Sequence, residues 1–422
     1  MFPQVFRVRQ RFDDSKVADI RAEVERNLAA LNLSTRVKRG QTVAITCGSR
    51  GVANIATIIK SAVDHFKSLG ADPFVVPAMG SHGGGTAEGQ REVLETYGVT
   101  EPFLGCPIRA SMETVVVCQT KEGFPVHFDK HAFGADHVLV VNRVKPHTRF
   151  AGDIESGMMK MMLIGLGKHA GAKIYHKAIE NWSFDQIVRS VAAEVIERCR
   201  VVAGLGVIEN SFDETAKIVA ALPADIIETD KALLRESKRL LPRLPFDDVD
   251  ILIVDEIGKN ISGTGMDTNV LGRKYNDHEA TGEERPRVKR IIVRGLTEAT
   301  HGNATGIGLA EFCLARVVRD MDPKITAINC ITGSHPTAAM IPVHFETDKE
   351  VLEAALATIG LVEPQNAKLV WIHNTLDLVE IVCSTAYLET AQANKNLEIL
   401  GSPAELPLEM GGMLPAFQIS DG

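Results

Sequence analysis

One grammar recurs through the first half of the chain and narrows what it can fold into: a short apolar run, a glycine-rich turn, then a helical pattern. Residues 42–46, Thr-Val-Ala-Ile-Thr, have the β-branched character of a strand. They run into Gly48-Ser49-Arg50-Gly51, and helical spacing follows over 55–69. A second run, 73–77, leads into Gly80-Ser81-His82-Gly83-Gly84-Gly85. Thr86 is placed to cap a helix over 87–97, with Gly98 just past its end. A third run, 138–141, feeds a turn at Pro146, where the residue before proline is held extended. Alternation of this kind builds a parallel sheet covered by helices. Such sheets bind ligands at the carboxyl ends of their strands, so segments 47–50, 80–85 and 145–150 are where function is expected.

Helical periodicity returns over 16–32, 184–200 and 231–240, and Pro242, Pro245 and Asp247-Asp248 then break it. A second series begins at 251–254 and leads into the glycine-rich loop 258–265. Strands at 290–293, 325–328 and 368–372 and helices at 310–320 and 349–361 complete it. The expected fold class is α/β with two domains, each with a mostly parallel sheet flanked by helices. The expected limits are residues 1–245 for an N-terminal domain, 246–402 for a C-terminal α/β domain, and 403–422 for an irregular tail.

The 422 residues leave room for two or three domains, and 45% hydrophobic with 24% charged residues is the composition of an ordinary soluble globular protein. A net charge of −8 with no basic tract argues against nucleic acid as a partner. No apolar run approaches the ~18 residues of a membrane span, and residues 1–11 lack the apolar core of a signal peptide. The seven cysteines are odd in number, far apart and without a CxxC pair, so neither a zinc site nor a disulfide framework is indicated. A reducing cytoplasm is the expected location.

Chemistry concentrates between residues 142 and 176, which mix histidines and lysines with glycines and methionines. His82 sits in a glycine-flanked loop before a capped helix, where loop amides favour an anion; the plainer alternative is a turn whose histidine is merely solvated. His147 follows Lys145-Pro146, near Arg143, which suits carboxylate recognition with acid–base work; a surface turn fits equally. Lys160 lies between Met158-Met159 and Met161-Met162. A lysine in an apolar setting can lose its charge and act as a nucleophile, whereas a snorkelling surface lysine is the bland alternative. His169 and His176 are two helical turns apart and could share a face. His301 and His335 are taken as structural or as supporting a site residue from behind. Gly165-Leu166-Gly167-Lys168-His169-Ala170 matches G-x-G-x-x-A with Asp185 about 20 residues on, a dinucleotide-binding spacing, but residues 158–164 before it have poor strand propensity.

Taken together these stretches resemble the nickel-dependent lactate racemase family, whose members use a nickel-pincer nucleotide, and the chain looks like a divergent member. The family's Asp-x-Thr-Arg loop stands here as Cys47-Gly48-Ser49-Arg50, and its Gly-x-His loop as Gly80-Ser81-His82. Its His-x-x-Ala-Gly…Lys stretch stands, one residue longer, as His147 to Gly152 continuing to Lys160. His176 follows Lys160 by the family's sixteen residues. The acid of the first loop is Cys47, the proline after its arginine is Gly51, and loop 258–265 offers only Lys259 as a counterpart to the family's second-domain contacts.

The resemblance implies an active site in the cleft between the domains. There Lys160 would carry the cofactor and His176 would be the nickel ligand, with His82 and His147 as the acid–base pair. Arg50, with Ser49 and Lys145, would bind a carboxylate or the cofactor phosphate. The implied reaction is racemisation or epimerisation of a 2-hydroxy acid, larger than lactate and such as a sugar acid. Cofactor-synthesis enzymes would be partners, and a homo-oligomer is left open. Two other readings are carried: an NAD(P)-dependent dehydrogenase using loop 165–170, and a non-enzymatic protein binding a small anionic metabolite.

Overall fold

The structure, a computed structural model, describes residues 2–418 apart from Arg50, Glu180, residues 275–283, Ser334 and the side chain of His176. The chain forms two compact units. One comprises Asp13–His147 and Ala151–Leu241, the other Met1–Phe12, Thr148–Phe150 and Pro242–Gly422.

In the first unit the sheet runs, in spatial order, Asp72–Pro77, Thr42–Cys47, His137–Arg143, Val201–Glu209 and Thr215–Ala221. The first three pairings are parallel and the last is antiparallel. The helix Ile55–Ser68 buries Ile55, Ile58, Ile59, Ala62, Val63 and Phe66, which recur at helical spacing and so form one apolar stripe against the sheet. The helix Phe184–Arg198 starts with a capping box in which Ser183 and Gln186 satisfy each other's backbone amides. Thr86 caps the helix Ala87–Thr96 by accepting from the Gly89 amide. A separate hairpin pairs Thr114–Gln119 with Pro125–Asp129.

In the second unit the order is Val343–Phe345, Phe312–Leu314, Arg287–Val293, Asp248–Val254, Leu369–Ile372, Glu380–Ser384, Val5–Gln10 and Leu397–Ala404. The first five strands are mutually parallel; from Glu380–Ser384 onward the pairing is antiparallel. Residues 1–12 therefore join this unit, against the expected limit of 1–245 for the first domain. Val5, Phe6 and Val8 enter its core, and Arg7 and Arg9 both pair with buried Glu380. The units part at Leu241/Pro242 rather than 245/246, and the strand Leu397–Ala404 takes in the start of the expected tail. Residues 325–328 are helical, not extended. Pro323 occupies the first turn of Pro323–Thr332, and the Asp322 carboxylate accepts from the amides of Lys324 and Ile325. Among the described residues no helix is long and apolar enough to cross a membrane.

Candidate active site

Three loops of the first unit leave the carboxyl ends of adjacent parallel strands, where the Ser49, His82 and His147 segments lie. The first two meet. Ser49 Oγ is 2.5 Å from His82 Nδ1, and Ser49 O accepts from the Tyr97 hydroxyl at 2.7 Å. The His82 loop lies flat on the helix that follows it. A Cβ on Gly83 would come 2.6 Å from the backbone of Gly89 and Gln90, and φ at Gly83 is +64°. Buried Gln90 holds the loop from below, its amide nitrogen donating to Gly80 O at 2.9 Å and His82 O at 3.3 Å. Arg50 lies outside the described residues. Cys47, in place of the family's acid, is fully buried, and burial pushes its thiol up to about 12, so it stays protonated at neutral pH.

The third loop is built by two polar side chains just before Gly157. Ser156 Oγ accepts from the Lys145 amide at 2.8 Å and donates to Lys145 O at 2.6 Å. The fully buried Glu155 accepts from the His147 amide at 2.8 Å and is paired with Lys238 at 2.6 Å. The His147 ring stacks on Phe184, centroids 6.1 Å apart, and Lys160 Nζ lies 5.5 Å from the centroid of the same ring. His147 and Lys160 thus both contact the Phe184 ring, whose π face favours a cation. Arg143, expected beside Lys145 as a second cation for a carboxylate, is instead committed to Glu209 in a buried ion pair. Arg149, in the other unit, donates to Gly333 O.

Lys160 closes the short helix Gly157–Lys160, which passes into a π-helical turn, Met161–Gly165, and then the helix Lys168–Ala178. Turns of that wide kind are frequent at functional sites. Asp230 caps the start, accepting from the amides of Met158 at 3.1 Å and Met159 at 2.8 Å. Burial raises its carboxyl to about 7 against the pull of those two hydrogen bonds. The methionines and glycines of this stretch serve close packing. A Cβ on Gly204 would come 2.3 Å from Met158 Sδ, and one on Gly165 2.2 Å from Met161 Sδ and 2.8 Å from Ala78 O. His169 is exposed on the helix Lys168–Ala178; the backbone of His176 belongs to the same helix and its side chain lies outside the described residues.

The dinucleotide fingerprint at 165–170 fails on its context. A helix and a π turn precede it rather than a strand, and Asp185 is paired with Arg189 at 2.6 Å. Among the described residues no cluster of three or more His, Cys, Asp or Glu forms a protein-only metal site. In the second unit, Lys259 Nζ donates to Gly263 O at 2.5 Å and to Asn329 Oδ1 at 3.0 Å, bracing the loop 258–265. Sequence reasoning passed over Phe184, Glu155, Asp230 and Lys168. Phe184 registered only as the start of a helix, and the charged three carry no local signal of burial. An ion just after the Leu163 to Gly167 run was the one available hint at Lys168.

Comparison with known proteins agrees with this layout. Residues 5–185 match the lactate racemase N-terminal domain. No curated protein matches the chain in sequence. Among solved structures, the lactate racemase apoprotein from Thermoanaerobacterium thermosaccharolyticum aligns with 86% of this chain and 93% of its own, at 14% identity and a TM-score of 0.53. A Thermotoga maritima protein aligns with 83% of this chain and 96% of its own, at 10% identity and a TM-score of 0.48. Residues 5–185 therefore carry a lactate racemase N-terminal domain, and the chain shares the fold of a lactate racemase over most of its length.

Proposed function

We propose that the chain is a racemase or epimerase of a 2-hydroxy acid and works with a nickel-pincer nucleotide joined to Lys160. The observation that carries this is the meeting of Lys160 and His147 on the Phe184 ring. That shared contact supports an attachment point and an acid–base group in one region of the fold. The surroundings suit attachment, because Lys160 is half-buried among the buried methionines 158, 159, 161 and 162, where an ammonium is costly and an amide or thioamide is not. Bound there, the cofactor supplies a reversible hydride acceptor for the C–H bond next to the hydroxyl.

The chain's own residues handle the proton. His147 takes it from the hydroxyl of one enantiomer and His82 serves the other, since each enantiomer presents its hydroxyl differently. Ser49 holds His82 by Nδ1. Ser49, Arg50 and Lys145 bind the carboxylate or the cofactor phosphate, and His176 is the nickel ligand. Loop 258–265, rich in glycine, suits an acid larger than lactate, such as a sugar acid. Enzymes that make the cofactor are the implied partners.

Intact-mass spectrometry of protein from its native host, with nickel measured on the same sample, tests this. About one nickel per chain and a mass adduct on Lys160 are expected. Tight NAD(P) binding without nickel would return the dehydrogenase reading, and reversible acid binding with neither would make the chain a binding protein.

A further inference from the structure

Lys168 has no part in the chemistry proposed above, yet it is a cation held entirely out of solvent. It is fully buried, and its φ of +53° is a left-handed conformation that is unfavourable for a non-glycine residue. A buried ammonium is costly too, so the surroundings must repay both. Its Nζ donates to Pro77 O at the end of the strand Asp72–Pro77. It also lies 3.2 Å from Gln90 Oε1 and 3.1 Å from Oδ2 of fully buried Asp129. Asp129 is fixed in turn, its other oxygen accepting from the Ala132 amide at 2.9 Å.

An ammonium has only donors to offer. Facing Lys168, Gln90 must therefore present its carbonyl oxygen, which turns its NH2 toward Gly80 O and His82 O. Ammonium and carbonyls fix that orientation together, since a flipped amide would point its oxygen at two carbonyls and its NH2 at the ammonium. The loop has little room to adapt, because Gly83 lies on the Gln90 backbone and a Cβ on Gly80 would come 3.2 Å from Ile164. Ile164 and Lys168 both follow Lys160 on the same stretch of chain.

We propose that Lys168 is a positioning residue: through Gln90 it fixes the backbone of the His82 loop, and so places the His82 ring relative to the segment that bears Lys160. The role of His82 as an acid–base group is taken from the function proposed above.

The test uses the full chain with 15N-labelled histidine, His82 being identified by the signal lost in His82→Gln. Two variants are compared with the parent. Gln90→Leu removes the link and keeps the Lys168–Asp129 pair. Lys168→Met with Asp129→Asn removes both charges, so that no carboxylate is left buried alone. In both, the distinct ring-nitrogen signals of His82 bonded to Ser49 are expected to collapse to those of an averaging imidazole. The signals of His65 and His137, held by Glu25 and Gln41, should not move. In cofactor-loaded protein the Lys160 adduct should persist while kcat falls about tenfold or more and KM changes by less than about twofold. Variants with intact His65 and His137 signals and parental His82 signals would overturn the proposal. Collapse of the His82 signals with undiminished turnover would instead leave the positioning in place and remove His82 from the chemistry.

Discussion

At the scale of single residues, the lysine and the two histidines of one stretch separate the proposed roles. Lys160 is half-buried beside Phe184, whereas His169 is exposed. Lys160→Ala should abolish the mass adduct and turnover, and His176→Ala should retain the adduct but lose nickel. His169→Ala should do neither, with intact mass and metal content as the measurements; loss of nickel in His169→Ala but not in His176→Ala would reverse the assignment. Asp230 offers a test in pH. Its carboxyl is raised from 3.8 to about 7 in the fold, so its stabilising share is fully present below 3.8 and is lost as pH rises through about 7. Relative to Asp230→Asn, the parent should lose roughly 4 kcal/mol of unfolding free energy across that window, read from urea midpoints at successive pH values. A constant difference would mean that Asp230 ionises freely. His82 and Ser49 were legible in the sequence because glycine-flanked loops after strands announce themselves. Asp230 was not, since the amides it caps are 72 and 71 residues away and nothing local marks a carboxylate for burial.

At the scale of elements, the glycines and methionines of 157–167 serve close packing. Gly165 lets the π turn press against the Ala78 carbonyl, and Gly204 admits Met158 to the sheet. Gly165→Ala should destabilise the protein by about 1–3 kcal/mol, as overpacking does. Met161→Ala in the same chain should restore only part of it, because the Ala78 contact is with backbone; full restoration in urea denaturation would show that only the thioether was in the way. The strand–loop–helix units around 42–69 and 73–97 were readable because each element is short and bounded by turn residues. Val201–Glu209 was not, being buried at all nine positions and so without the alternation that marks a half-exposed strand. The expected strand at 325–328 shows the opposite failure. Three β-branched residues outweighed the start signal Asp322-Pro323 just before them.

At the scale of the whole molecule, the second unit is closed by the two ends of its chain. Val5–Gln10 lies between Glu380–Ser384 and Leu397–Ala404, an interior place in the sheet. A chain lacking residues 2–12 should lose the fold from Pro242 onward while Asp13–Leu241 stays resistant to limited proteolysis; equal resistance of both parts would show the strand to be dispensable. No periodicity in the sequence could pair that strand, since Arg7 and its partner Glu380 are 373 residues apart. The same arrangement sets a timetable on the ribosome. Synthesis at about 5–20 residues per second means that this strand waits roughly 20–75 s for its neighbours. Throughout that wait it exposes Val5, Phe6 and Val8, so the nascent chain offers a sticky β-edge to chaperones and to other copies of itself until those partners are made.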